Sequence, residues 1–273
     1  MSVVDFYDRH PINVGQVLAA VARRRGTLAG LTADHLFDFD QDHYGGLAAV
    51  ETLARRAAIG PACRVLDVCA GLAGPARFLA ARLGCRVVAV ELNHGRAAGA
   101  ARLSRLVGLN DVVAILRADA SALPLANGAF SVCLSQEAFL HVEDKAAVLT
   151  ECRRVLGPGG RLAFTDWIAH ARLGDGERRR LRDWMAAVTL QTLEGYRALL
   201  GRAGFSAIEA EDLTDEWRPI LRRRLEMYRA WRDDTVARFG DAWYREYQEV
   251  YAFFVRLIEA GKLGGGRFSA TRP

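Results

Sequence analysis

Three carboxylates and one imidazole stand where a ligand could meet them. Asp67 lies in VLDVCAGLAGPAR (65–77), an apolar run that turns through small residues to a helix start at Pro75. Glu91 and Asp119 stand at the ends of two further β-rich runs, RVVAVEL and VVAILRAD. A small-residue turn lets a ligand approach the backbone, and the amides of a helix start favour an anion. A pyrophosphate would use such a turn through G-x-G-x-x-G, with an acid about 20 residues on. Here Cys69 and Ala70 do not supply the first glycine, and the Asp67 carboxylate repels a diphosphate while welcoming a cation. His141 follows the fourth run, where an imidazole can take a proton from an amine or a hydroxyl. The alternative for His141 is that it opens a helix beside Glu143 and Asp144.

A ligand with an ammonium, a sulfonium and an adenosine meets these demands. S-adenosylmethionine needs an acid near its amino-acid end, an acid for the ribose hydroxyls, and an acid or amide for the adenine amino group. Asp67, Glu91 and Asp119 close the first three runs in that order, so S-adenosylmethionine is the expected cofactor. Methyl transfer is an in-line displacement on an activated carbon, so alignment matters most and can supply ~7–11 kcal/mol. A base is required only when the acceptor arrives protonated.

Positioning these groups calls for an ordered frame. The runs RVLDVC (64–69), RVVAVEL (86–92), VVAILRAD (112–119), FSVCLSQEA (130–138) and GRLAFTDW (160–167) alternate with helical stretches near 75–83, 94–107 and 144–155. That alternation predicts an α/β fold, a Rossmann-like, mostly parallel sheet with helices on both faces and ligands at the strands' carboxyl ends. Ahead of it come an irregular start, a helix capped by Asn13 with Gln16 as capping-box partner and ending at Gly26, an aperiodic loop or lid over 32–44, and a helix over 46–58. Behind it come a helix near 192–203, a strand over 205–212, a helical block over 215–260 and a last strand over 266–271.

At this point the chain resembles the class I S-adenosylmethionine-dependent methyltransferases, over residues 44–170 above all. The matching pieces are VLDVCAGLAG, VAVEL, RADA, SQEAFLHVED, RVLGPGGRLAFTD and LLGRAGF, in that order. Cys69 and Ala73 replace two of the family's turn glycines; both are small, and the turn survives if those positions need no positive φ. SQEAFLHVED and GPGGRLAFTD look closest to enzymes that methylate small amines, the sarcosine/dimethylglycine and phosphoethanolamine types, with natural-product sugar methyltransferases nearby. The resemblance implies a Rossmann-like methyltransferase fold divided into an N-terminal helical lid (1–44) and a methyltransferase domain (45–273) with a helical cap insertion at about 213–262. It places the cofactor on Asp67, Ala70 and Gly71 in the turn, on Glu91 and Leu92, on Asp119 and Ala120, and on Gln136. It gives His141 and Tyr44 catalytic roles, His141 by assisting deprotonation, and sets Tyr7, Glu137 and Asp166 against the acceptor.

Composition bounds the partners. Lys+Arg (37) and Asp+Glu (32) are interspersed, so the net +5 argues only weakly for a polyanion. The arginine-rich stretches GERRRLRDW (176–184) and ILRRRLEMYRAWRD (220–233) carry intervening acids and read as solvated helix faces. The five tryptophans read mostly as packing residues, with a cage for a methylated ammonium as the alternative. Five cysteines without CxxC spacing suggest a reducing, cytoplasmic setting. No stretch approaches the ~18 apolar residues of a membrane span. The expectation is a soluble enzyme that methylates a small molecule, most readily at an amine nitrogen, with no metal, nucleic acid or membrane partner and with homo-oligomerisation left open. The rival readings are O- or C-methylation of a natural product or sugar, an NAD(P)-dependent oxidoreductase, an RNA-modifying methyltransferase, and a non-catalytic cofactor-binding protein.

Overall fold

Alternate residues of the central strands carry apolar side chains to opposite faces, and each face builds its own core. Leu66, Val68, Cys133 and Phe164 pack on one side. Val65, Val132, Leu134 and Ala163 pack on the other. A computed structural model describes residues 2–170 and 173–273. The chain opens with α1 (Val3–Asp8), α2 (Val14–Arg25) and α3 (Gly46–Arg56). It then alternates through β1 (Arg64–Val68), α4 (Gly74–Leu83), β2 (Arg86–Glu91), α5 (His94–Leu106), β3 (Val113–Arg117), β4 (Phe130–Gln136), α6 (Lys145–Val155) and β5 (Leu156–Ala169). α7 (Asp175–Met185), α8 (Leu193–Arg202) and β6 (Ser206–Asp212) follow. α9 (Thr214–Ala230), α10 (Arg232–Phe239) and α11 (Asp241–Glu259) then lead into β7 (Leu263–Thr271).

The strands form one sheet in the order β3-β2-β1-β4-β5-β7-β6, with β7 antiparallel to both of its neighbours. The order reverses between β1 and β4, which opens a crevice at their carboxyl ends. No helix among the described residues is long and apolar enough to cross a membrane.

Several elements differ from the sequence expectation. The start is helical rather than irregular, because Ser2 and Asp5 cap each other's backbone amides at the head of α1. At α2 only Asn13 caps, accepting from the Gln16 amide at 3.1 Å. The first arginine-rich stretch, by contrast, lies wholly within α7 with only Leu181 buried, as a solvated helix face requires, and the Glu177 carboxylate accepts from the Gly174 amide at 2.8 Å. The last strand begins earlier than expected, because Gly264, Gly265 and Gly266 pair with Ile168, Trp167 and Asp166 of β5 rather than forming a loop. These glycines seat the cap: a Cβ on Gly265 would lie 2.4 Å from the Trp217 ring of α9.

The segment between α2 and α3 is tied into the frame by charge. Arg77 of α4 and Asp40 are both fully buried, with Nη2 of the guanidinium 2.8 Å and Nε 3.1 Å from one carboxylate oxygen. Gly74 permits the close approach, since a Cβ there would sit 2.2 Å from the Asp40 carbonyl.

Candidate active site

A cavity of about 190 Å³ opens at the carboxyl ends of β1, β2 and β4 and is roofed by α1, the 40–44 loop, α9 and α11. Its floor is the turn after β1. Cys69, Gly71 and Ala73 there have φ of 58°, 59° and 57°, so alternate residues are left-handed. The expectation that Cys69 and Ala73 need no positive φ is therefore corrected. The turn keeps its left-handed geometry with L-residues, at a cost of roughly 1–2 kcal/mol each. Its amides are put to use: Gly71 N–H donates to Glu91 Oε2 at 2.8 Å, and Asn93 N–H donates to Oε1 at 2.8 Å. Glu91, last in β2, thus bridges the β1 turn and the head of α5.

Asp67 stands one residue before the end of β1 and is 2% exposed. Burial, reinforced by the Glu91 charge and opposed by Arg77 and the Ala76 amide, raises its carboxyl to about 7. Its Oδ2 is buried and has no hydrogen-bond partner among the described residues, and neither polar atom of the Gln136 amide has one. Asp119 lies two residues beyond β3, exposed, with Oδ1 accepting from Ser121 N–H and Oγ at 2.8 and 2.7 Å. Buried polar atoms without partners are costly unless a ligand meets them. An orphaned carboxylate oxygen, an orphaned amide and the bridging Glu91 fit the ammonium, the polar edge and the ribose of S-adenosylmethionine. Ala70, Gly71, Leu92 and Ala120 line the same cavity.

The opposite wall begins at the end of β4. Glu137 has φ 52°, which turns its side chain back so that both carboxylate oxygens accept from Tyr44 N–H at 2.9 Å. Burial raises this carboxyl to about 8, with the Tyr44 amide and Arg224 opposing. His141 ends a 3₁₀ turn (Phe139–His141), with Nδ1 3.1 Å from the Ala186 carbonyl and Nε2 3.0 Å from the Tyr7 hydroxyl. The carbonyl partner requires the proton on Nδ1, which makes Nε2 the acceptor of the Tyr7 O–H. Burial holds the imidazole near 4, so it is neutral at pH 7, and raises the Tyr7 phenol. The Tyr44 hydroxyl is 3.1 Å from that of Tyr251 on α11.

Every site residue proposed from the sequence lines this cavity except Asp166. Asp166 lies inside β5, fully buried, and accepts from Leu140 N–H at 3.2 Å and from the Tyr196 hydroxyl. It holds the loop that carries His141 and does not face the cavity. Sequence reading also missed lining residues. Arg224, inside the stretch read as a solvated face, is half-buried and turned inward: it donates to the Asp42 and His43 carbonyls at 3.0 and 3.1 Å and lies over the Tyr44 ring. Tyr247 and Tyr251, one helical turn apart on α11, line the wall with Tyr228. That i,i+4 spacing was a readable signal; nothing marked Arg224, Arg96 or Asp42. Of the tryptophans only Trp167 reaches the cavity, packed edge-on against Trp217.

The strand order with its antiparallel β7 is that of the Rossmann-like methyltransferase fold, and it sets an acid-lined crevice at the reversal point. Residues 66–164 match the methyltransferase domain family. The chain is 32% identical over 201 residues to the glycine/sarcosine/dimethylglycine N-methyltransferase of Actinopolyspora halophila, covering 74% of this chain and 35% of that protein. It is 33% identical over 158 residues to the sarcosine/dimethylglycine N-methyltransferase of Halorhodospira halochloris, covering 58% and 57%. The chain thus spans about a third to three fifths of these relatives' lengths. Among solved structures, phosphoethanolamine N-methyltransferase 2 of Haemonchus contortus, in complex with phosphomonomethylethanolamine and S-adenosylhomocysteine, has the same fold. The TM-score is 0.80 at 21% identity, over 100% of this chain and 60% of that one.

Proposed function

We propose that the chain transfers a methyl group from S-adenosylmethionine to an amine nitrogen of a small molecule. The observation that carries this reading is Glu137, a buried carboxyl turned into the acceptor wall by a left-handed backbone, beside the neutral His141–Tyr7 pair. The bound cofactor supplies an activated methyl on its sulfonium. Asp67, Glu91 and Gln136 hold it, and α1, α9 and α11 exclude water from the crevice.

An amine arrives as an ammonium and must shed a proton before its lone pair can attack. Glu137, raised to about 8, is matched to that proton: the approaching cation draws it into its ionised form, and it then takes the proton from nitrogen. His141, held near 4, is the weaker base of the two and orients the acceptor through Nε2 and the Tyr7 hydroxyl. Tyr44 contributes through its backbone amide, which fixes Glu137, while its phenol is engaged with Tyr251. The ammonium proton ends on Glu137, which leaves the nitrogen lone pair free for the methyl that the cofactor would supply.

The same reading puts the enzyme in a reducing cytoplasm, supported by five free cysteines. It takes nucleic acid out of the acceptor classes, since the arginine-rich helices carry interleaved acids. A hydroxyl acceptor on a larger natural product is the second reading, favoured by the aromatic wall of Trp167, Tyr228, Tyr247 and Tyr251. A panel of amines, amino acids and hydroxylated metabolites scored for S-adenosylhomocysteine release separates the two. Glu137→Gln should lower amine turnover by about 10²-fold or more. Turnover of hydroxyl acceptors alone, unaffected by this substitution, would overturn the amine assignment.

A further inference from the structure

Arg96 occupies an electrostatically awkward place. It lies in the first turn of α5, where the helix dipole disfavours a cation, and it is 7% exposed. Part of its guanidinium is accounted for: Nη2 donates to Asp42 Oδ2 at 2.8 Å and Nη1 to the Ile12 carbonyl at 3.4 Å, under the Tyr7 ring at 4.5 Å. Its Nε is buried and has no partner among the described residues. The group lies against the cofactor turn, since a Cβ on Gly71 would be 2.8 Å from Nη2 and 3.4 Å from Nε.

The cavity therefore offers two orphaned buried atoms of opposite charge beside one turn, Asp67 Oδ2 and Arg96 Nε. An α-amino acid presents the complementary pair, an ammonium and a carboxylate. We infer that Arg96 binds the α-carboxylate of S-adenosylmethionine, so that Asp67 and Arg96 together read the zwitterionic end of the cofactor. The inference rests on the cofactor reading above. It assigns Arg96 to the cofactor rather than to an acidic acceptor because the guanidinium abuts Gly71 and follows Glu91 by five residues. It also explains why a cation is retained at that helix start: Asp42 and the Ile12 carbonyl hold the guanidinium in place, leaving Nε for the ligand.

Calorimetric binding of S-adenosylmethionine and its decarboxylated form to the full chain tests this, because the two ligands differ only in the carboxylate. The wild-type protein should prefer the intact cofactor by about tenfold or more, the scale of one charge-assisted hydrogen bond. Arg96→Gln should reduce that preference to about twofold or less while leaving affinity for the decarboxylated form within about threefold. Arg96→Lys, which keeps the charge and loses the fork, should retain part of the preference. A preference unchanged in Arg96→Gln, an equal loss for both ligands, or no preference in the wild type would overturn the assignment. Weakened acceptor KM with intact cofactor preference would overturn it too and move the arginine to the acceptor side. Wild-type protein that binds neither ligand would sink the cofactor reading itself.

Discussion

The two walls of the cavity are built in different ways. The wall proposed for the cofactor comes mainly from three consecutive strand ends and the turns that follow them, so its Glu91 and Asp119 carboxylates are fixed by those neighbouring turns, while Arg96 is held from Asp42 and Ile12. Gly71 and Asn93 hold Glu91, and Ser121 holds Asp119. The acceptor wall is assembled from distant segments: Tyr7 meets His141, Tyr44 meets Glu137 and Tyr251, and Arg224 meets the 42–43 carbonyls. A site made locally tolerates change in the rest of the chain. A site made from docked segments changes with every shift of cap or amino terminus, which is where acceptor specificity can diverge while cofactor use stays constant.

Substitutions on each wall should therefore separate turnover from cofactor affinity. After Glu137→Gln, the largest effect is expected from His141→Ala, which should lower kcat by about 30-fold through lost orientation while leaving S-adenosylhomocysteine affinity within about threefold. A parallel collapse of cofactor binding would show the walls to be one unit. Glu91→Ala comes next: calorimetry should show S-adenosylhomocysteine binding weaker by about 30-fold, roughly 2 kcal/mol, as two backbone amides and the ribose lose their acceptor. Unchanged affinity would remove Glu91 from the cofactor wall. The smallest effect is on pH dependence. Asp67 is raised to about 7 in the free protein, so below that pH it is protonated and offers the cofactor ammonium no charge. Binding then expels a proton, and affinity should fall by up to about tenfold per pH unit below the midpoint and level off above it. Asp67→Asn should flatten the profile.

The same contrast explains what could be read without a structure. Asp67, Glu91 and Asp119 were visible because strand ends followed by small residues or helix starts are local patterns. Ser2 with Asp5 is an equally local signal, but the expectation for the start was irregular and missed the helix that this pair caps. The left-handed Cys69 and Ala73 were not, because sequence gives the residue type and not the φ that the turn imposes. Asp166 looked like a strand-end acid because the extent of β5 was set by its pairing with the glycines of β7. Arg224 was hidden in a charged stretch whose buried face is decided only when α9 docks on those glycines, and Arg96 carried no motif at all.

The Asp40–Arg77 pair carries a consequence for how the chain can be cut or recombined. A protein started at residue 45 would leave the Arg77 guanidinium sealed inside without its carboxylate, with only the Ala100 carbonyl and Ser104 hydroxyl at 3.4 Å. The penalty for stranding such a charge is about 3–5 kcal/mol, a large share of the stability of an ordinary domain. The leading forty residues thus belong to the foundation as much as to the roof, and a graft that exchanges them must bring its own counter-ion.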